Sequence, residues 1–270
     1  MKHVLVRPRP PLDMLVDSFW AADTYQALTP RERVLPTGGQ ALVVHLDERP
    51  LEIYADARST AVARFDGAAV CGARSSPLVF GTAFGPTVGV HFKPGGARPF
   101  FDLPADELAE QTASLEQFWG TSTRLLREQL AECGCLRGRV QILESFLLER
   151  ARRQCEPSAA LSAALSAFEE LDLSSVAEVS RRTGLSPKRL LCLFRDEVGL
   201  SPKTFWRIRR FRSALQGLER GASRGADLAT HHGYFDQAHF LREFRALAGS
   251  SPREYLAARI VDRDHVALFG

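Results

Sequence analysis

The 270-residue sequence has no apolar run approaching the roughly 18 residues that a membrane-spanning helix requires. The opening stretch, Met1-Lys2-His3-Val4-Leu5-Val6-Arg7-Pro8, breaks into Arg and Pro before a signal core can form, so a cytoplasmic location is expected. Cysteine is sparse and odd in number: Cys71, Cys133, Cys135, Cys155 and Cys192 lie at irregular spacing, which argues against a disulfide framework. Cys133-Gly134-Cys135 is too tight for a zinc knuckle and has no second pair, so no metal is expected. Also missing are a Gly-x-Ser-x-Gly elbow, a phosphate-cradling loop and a dinucleotide fingerprint. His45 and His91 fall on predicted strands but have no neighbours at metal-ligand spacing. These absences predict no cofactor and no enzymatic activity, with an enzyme in the N-terminal half kept as the weakest alternative.

The sequence is 45% apolar and 25% charged, an ordinary globular composition, and its length suggests two domains. The net charge of +3 is unevenly distributed. Residues 171–260 hold 16 Lys and Arg against 9 Asp and Glu, whereas residues 1–170 hold 18 against 21. A basic excess in one region suits a surface that releases counterions from a phosphate backbone, and it equally suits a solvated helical face.

The first hundred residues read as strands and turns. Ala41-Leu42-Val43-Val44-His45-Leu46 and Val88-Gly89-Val90-His91-Phe92 carry strand patterns, and Leu35-Pro36-Thr37-Gly38-Gly39, Phe84-Gly85-Pro86 and Lys93-Pro94-Gly95-Gly96 carry turn residues. From about residue 104 the period lengthens, predicting helices over 106–111, 115–132 and 139–153. Pro157 ends this run, and Ser158 should cap a new helix burying Leu161, Leu165 and Phe168. The fold class expected is α+β. A β-rich N-terminal domain with helices, residues 1–155, precedes an all-α domain over 158–260. The N-terminal aromatics Trp20, Phe80, Phe84, Phe92, Phe100, Phe101 and Trp119 either fill a core or line an effector pocket, and core packing is the preferred reading.

The all-α region contains an internal repeat. Val176 to Gly184 aligns with Gly225 to Gly233 at an offset of 49, and Leu190 to Pro202 aligns with Phe240 to Pro252 at an offset of 50. In the second block Leu191/Leu241, Phe194/Phe244, Arg195/Arg245, Gly199/Gly249, Ser201/Ser251 and Pro202/Pro252 are identical. Each copy reads as a short helix, a glycine turn and a second helix. Ser186 and Asp236 are the predicted N-caps of the second helices, and Leu190/Leu193/Phe194 and Phe240/Phe244/Leu247 their inward stripes. Between the copies, a helix from Pro202 to about Arg220 presents Phe205, Ile208, Phe211, Leu215 and Leu218 on one side and Lys203, Arg207 and Arg210 on another. This is a tandem helix-turn-helix pattern.

The segment from Ser174 to Leu256 resembles the DNA-binding domain of AraC/XylS-type transcription regulators. The resemblance is carried by Gly233-Tyr234-Phe235-Asp236-Gln237-Ala238-His239-Phe240-Leu241-Arg242-Glu243-Phe244 and by Gly249-Ser250-Ser251-Pro252-Arg253-Glu254-Tyr255. It implies two recognition helices, Pro187 to Val198 and Gln237 to Ala248, lying in successive major grooves about one helical turn apart. The implied function is sequence-specific DNA binding in a bacterial regulator. Its partners would be double-stranded DNA, a small-molecule effector and RNA polymerase, and a homodimer is compatible with it.

By this resemblance Arg242 is the favoured base contact, with Gln237, Ala238, His239, Lys188 and Arg189 as further candidates. Lys203, Arg207, Arg210, Arg195 and Arg245 are candidates for phosphate contact. The first half is similar to an N-terminal domain fused to a subset of these regulators, through Leu35-Pro36 with Gly38, Gly89 to Gly96 and Leu115 to Gly120. Three departures from the family pattern involve four residues. Cys192 and Leu191 cannot make a bidentate base contact, Gly225 weakens its helix by roughly 1 kcal/mol, and Phe235 stands where a small residue is usual. A protein-interaction adaptor with weakened DNA binding is the alternative that these departures leave open.

Overall fold

The computed structural model describes residues 3–24, 29–83, 85–151, 157–169, 175–220, 229–259 and 265–268. Its architecture is α+β: two antiparallel sheets with helices, followed by a helical region. The strands are β1 His3–Val6, β2 Val16–Ala22, β3 Arg31–Val34, β4 Ala41–His45, β5 Leu51–Tyr54, β6 Val62–Phe65, β7 Ala68–Cys71, β8 Leu78–Gly81, β9 Thr87–Phe92, β10 Thr112–Ser114 and β11 His265–Ala267. One sheet runs in the order β1-β2-β9-β4-β7-β10 and the other β11-β3-β8-β5-β6.

Period-two alternation gives the six-stranded sheet two different apolar faces. Phe19 and Ala21 of β2, Leu42 and Val44 of β4, and Val88, Val90 and Phe92 of β9 point into a core shared with helices α2 (Thr121–Glu132) and α3 (Leu136–Ala151). From α2 and α3 come Leu126, Leu130, Val140, Leu143 and Leu147. The intervening residues, Trp20, Ala41, Val43, His45, Thr87 and His91, line a cavity of about 150 Å³. Val34, Leu51, Ile53, Leu78 and Phe80 of the second sheet face them across it. Gly89 is required where Trp20 crosses it, because a Cβ there would sit 2.4 Å from the indole ring. The N-terminal aromatics therefore divide: Phe92, Phe100, Phe101 and Trp119 are core, while Trp20 and Phe80 line the cavity. Phe84 lies outside the described residues.

Two helix expectations are corrected. Residues 106–111 form only a single 3-10 turn, Ala105–Leu108, before β10. Glu110 takes a φ of 59°, with its carboxylate accepting from the Ser75 backbone N–H at 2.6 Å, and this turns the chain into the sheet. The segment 115–132 is two helices, α1 (Glu116–Trp119) and α2, separated at Gly120, whose φ of 54° no helix admits.

The helical region comprises α4 (Ala159–Glu169), α5 (Val176–Thr183), α6 (Pro187–Glu197), α7 (Pro202–Glu219), a helical turn at 229–231, α8 (Gln237–Ala248) and α9 (Pro252–Ala258). Ser158 accepts from the Leu161 N–H at 3.1 Å, the expected start of α4. Leu161, Phe168, Val179, Leu190, Phe194, Phe205, Ile208, Phe211, Phe240, Phe244 and Tyr255 form one buried cluster. That cluster also takes in Leu35 and Ala73 from the N-terminal half and Val266 from β11. The last strand returns from the helices to pair antiparallel with β3, His265 opposite Val34, so the second sheet is built from both ends of the chain. The sequence between the two halves, residues 152–156, lies outside the described residues.

Candidate nucleic-acid interface

Each second helix of the repeat starts from a side-chain cap on its own backbone. Ser186 Oγ accepts from the Arg189 N–H at 3.2 Å, and Asp236 Oδ1 from the His239 N–H at 2.6 Å. The turns preceding them contain Gly184 at a φ of 68° and Gly233 at 71°, left-handed positions that favour glycine. Behind α6 the helix α5 is capped by Ser175, and behind α8 the helical turn 229–231 buries Ala229. Gly225 and the start of that element lie outside the described residues.

The inward stripes of α6 and α8 are Leu190, Leu193, Phe194 and Phe240, Phe244, Leu247, all buried. The connecting helix α7 supplies the floor under both, and Phe205 packs on Phe194 while Phe211 meets Phe244 edge to face. With those stripes fixed, helical geometry turns the same positions of each copy outward. Lys188, Cys192 and Arg195 are exposed on α6, and Ala238, Arg242 and Arg245 on α8, spaced i, i+4, i+7 in both. Arg189 and Gln237 are also exposed, at the helix N-termini. Lys203 is exposed at the start of α7.

Three candidates are turned partly or wholly inward. Arg207 Nε donates to Glu243 Oε1 at 2.6 Å, and Arg210 pairs with the other oxygen of the same carboxylate while lying over the Trp206 and Tyr234 rings at 4.4 and 4.2 Å. The Arg210 side chain is only 9% exposed, so its charge is neutralised inside the domain. His239 is half-buried, edge to face on Tyr234, with Nδ1 accepting from the Phe235 N–H at 3.4 Å.

The cause lies in the repeat itself. Glu243 aligns with Leu193, so the second motif places a carboxylate where the first places a methyl group, and two arginines of α7 compensate it. Burial works to raise the Glu243 carboxyl, but hydrogen bonds from Arg207 and Arg210 outweigh it and hold the group below the usual range. Burial also pushes the Tyr234 hydroxyl up to about 12. Phe235 stands 90% exposed beside Asp236, and nothing in the structure accounts for its ring.

The N-terminal half holds the back of this domain. Arg33 Nη1 of β3 donates to the Ala248 carbonyl at the end of α8, at 2.9 Å. A Cβ at Gly38 would lie 3.0 Å from the Phe205 ring of α7, so this turn packs directly on the connecting helix. Sequence reading missed β11 and the Arg33 tie, since a three-residue strand and a single side chain to carbonyl bond leave no periodic signal.

Comparison with known proteins agrees with this arrangement. Residues 179–258 match the model of a family described as a helix-turn-helix domain, and residues 5–114 match a domain of unknown function, DUF6597. The arabinose operon regulatory protein of Salmonella typhimurium is 33% identical over 170 residues, which is 62% of this chain and 57% of that protein. Its counterpart from Escherichia coli is 33% identical over 82 residues, 30% of this chain and 28% of that one. The chain carries an AraC-type helix-turn-helix domain. It spans under two thirds of the length of either regulator that it matches.

Among solved structures, an AraC-type regulator from Chromobacterium violaceum shares 24% identity over 35% of this chain and 87% of its own, at a TM-score of 0.34. Apo ToxT from Vibrio cholerae aligns over 88% of this chain and 97% of its own, at 9% identity and a TM-score of 0.48. Among the described residues no helix is long and apolar enough to cross a membrane.

Proposed function

We propose that the protein is a transcription regulator that binds duplex DNA through α6 and α8 of its AraC-type domain, under the control of the N-terminal sandwich. The observation that carries this reading is the paired exposed face, Lys188/Cys192/Arg195 and Ala238/Arg242/Arg245, presented twice at the same helical register on one core. In this reading Arg242 reads a base edge, with Gln237 and Ala238 nearest the groove, and Lys188, Arg189, Arg195, Arg245 and Lys203 supply groove and phosphate contacts. Arg207 and Arg210 act instead as internal counter-charges that set the pose of α8 on α7. The N-terminal domain serves sensing and self-association, with RNA polymerase as the downstream partner. Its cavity supports the sensing role, and its ties to α7 and α8 give it a route to the DNA-binding surface.

The test is duplex affinity of the full chain at two salt concentrations, against a randomised site library. A regulator enriches a defined sequence and loses affinity steeply with salt. An adaptor enriches nothing and shows no affinity at low salt, and either result would overturn the proposal.

A further inference from the structure

The cavity between the two sheets contains two buried N–H donors, Trp20 Nε1 and Arg74 Nε, that find no acceptor among the described residues. Leaving such a group unpaired is costly, and native folds rarely retain one. Two at one hollow point to an acceptor supplied from outside the protein. The walls around them are apolar: Val34, Leu35, Val43, Ile53, Leu78 and Phe80. The remaining polar lining comprises the Arg74 guanidinium, the imidazoles of His45, His91 and His265, the Gln40 amide and small hydroxyls. No Asp or Glu is among the lining residues.

Apolar walls select an apolar body, and a guanidinium with no lining acid to oppose it selects a negative charge, best a planar carboxylate. Size sets the third requirement. The hollow is partly open and offers about 150 Å³ of interior space. An apolar hollow of roughly 150 Å³ in an engineered core admits benzene, so one ring or a short branched chain fits and a long acyl chain does not.

We infer that the cavity binds a compact monocarboxylate, with its ring or branched chain between the sheets, its carboxylate on Arg74 and the Trp20 N–H as a second donor. The inference rests on reading the N-terminal half as the sensing domain. It also gives that domain a means of reporting. His265, on the strand that follows the DNA-binding helices, is part of the cavity wall and lies 3.2 Å from Glu32 of β3. A ligand here touches residues from both ends of the chain.

The experiment is calorimetric titration of the full chain with phenylacetate and 3-methylbutanoate. Phenylacetamide and 2-phenylethylamine serve as controls of the same shape, and hexadecanoate as a control of length. At least one compact acid should bind tenfold or more tightly than phenylacetamide, with the amine and the long acid silent. Arg74→Gln should erase the difference between acid and amide. Val43→Phe, which fills the hollow from β4, should abolish binding while leaving the circular dichroism spectrum unchanged.

Equal binding of acid and amide, preference for the amine or for hexadecanoate, or an Arg74→Gln chain that still prefers the acid would each overturn the inference. So would a folded chain that binds none of the probes. Duplex binding is measured separately on the same preparation. A chain that binds duplex but no acid sinks the cavity inference alone, and one that binds acid but no duplex sinks the regulator reading alone.

Discussion

At the scale of single residues, the pair Arg242 and Cys192 shows how far two copies of one motif can diverge in chemistry while keeping one shape. Both are exposed at equivalent positions, but only the guanidinium can donate two parallel hydrogen bonds to guanine. Arg242→Ala is therefore expected to cost about 1–3 kcal/mol on the preferred site and to flatten selectivity at one or two base pairs. Lys188→Ala should weaken preferred and random duplexes alike and reduce the salt slope by about one. Selection from a randomised library with each variant separates the two effects. If Arg242→Ala keeps the preferred sequence while Lys188→Ala changes it, the two roles are exchanged.

His45 makes a second prediction at this scale, concerning acid stability. It is 1% exposed, and burial depresses its imidazole to about 4 from the ordinary 6.5. The unfolded chain then takes up a proton between these values while the folded chain does not, so stability is full above 6.5 and falls as the pH drops toward 4. The loss attached to this residue is roughly 3 kcal/mol over that window. Urea midpoints of the native chain and of His45→Gln, compared from pH 7.5 to 4.5, should converge as the pH falls. Parallel curves would mean that His45 takes up its proton in the folded chain as readily as in the unfolded one.

At the scale of elements, legibility in the sequence followed from periodicity. The caps at Ser186 and Asp236, the turns at Gly184 and Gly233 and the inward stripes of α6 and α8 were all readable, because each is a local rule that tertiary contacts reinforced. The strands at 41–45 and 87–92 were readable by alternation, although which alternate face meets the cavity was not. Elements set by a single distant contact escaped: β10 depends on the turn at Glu110, and β11 on an open edge beside β3. The inward pull on Arg207 and Arg210 escaped for a related reason. On a helical wheel they form a basic face, and only the acid at Glu243 converts that face into an internal clamp.

The clamp leads to a testable asymmetry between the motifs. Glu243→Ala leaves two arginines facing a half-buried space without a counter-charge, and breaking a buried pair in this way costs about 3–5 kcal/mol. Glu243→Leu reproduces the first motif's residue at this position, yet should destabilise nearly as much, because Arg207 and Arg210 remain. Adding Arg207→Met and Arg210→Met to Glu243→Leu should recover most of the loss. Equilibrium denaturation of the three variants checks this, and a triple variant no more stable than the Glu243→Leu single variant would refute the clamp.

At the scale of the whole molecule, the two halves are not independent bodies joined by a tether. Leu35, Ala73 and Val266 belong to the same buried cluster as the helix-turn-helix core, Arg33 holds the end of α8, and β11 closes the N-terminal sheet after the last helix. Val266 and Ala267 are 2% and 3% exposed, so ending the chain after Arg259 uncovers apolar surface on both halves and takes the His265 imidazole away from Glu32. Burying one aliphatic side chain of this size is worth about 1.5–3 kcal/mol, which sets the scale of the loss. The full chain should unfold in urea as one transition, whether followed by Trp20 and Trp119 in the sandwich or by Trp206 in α7. The shortened chain should unfold earlier, with the signals separating into two midpoints as the helical region and the sandwich lose their shared strand. Single-tryptophan versions of both chains report each half in turn. A shortened chain with one transition at the original midpoint would show that β11 adds nothing to the union of the halves, which Arg33, the turn at Gly38 and the shared cluster around Leu35 and Ala73 would then carry.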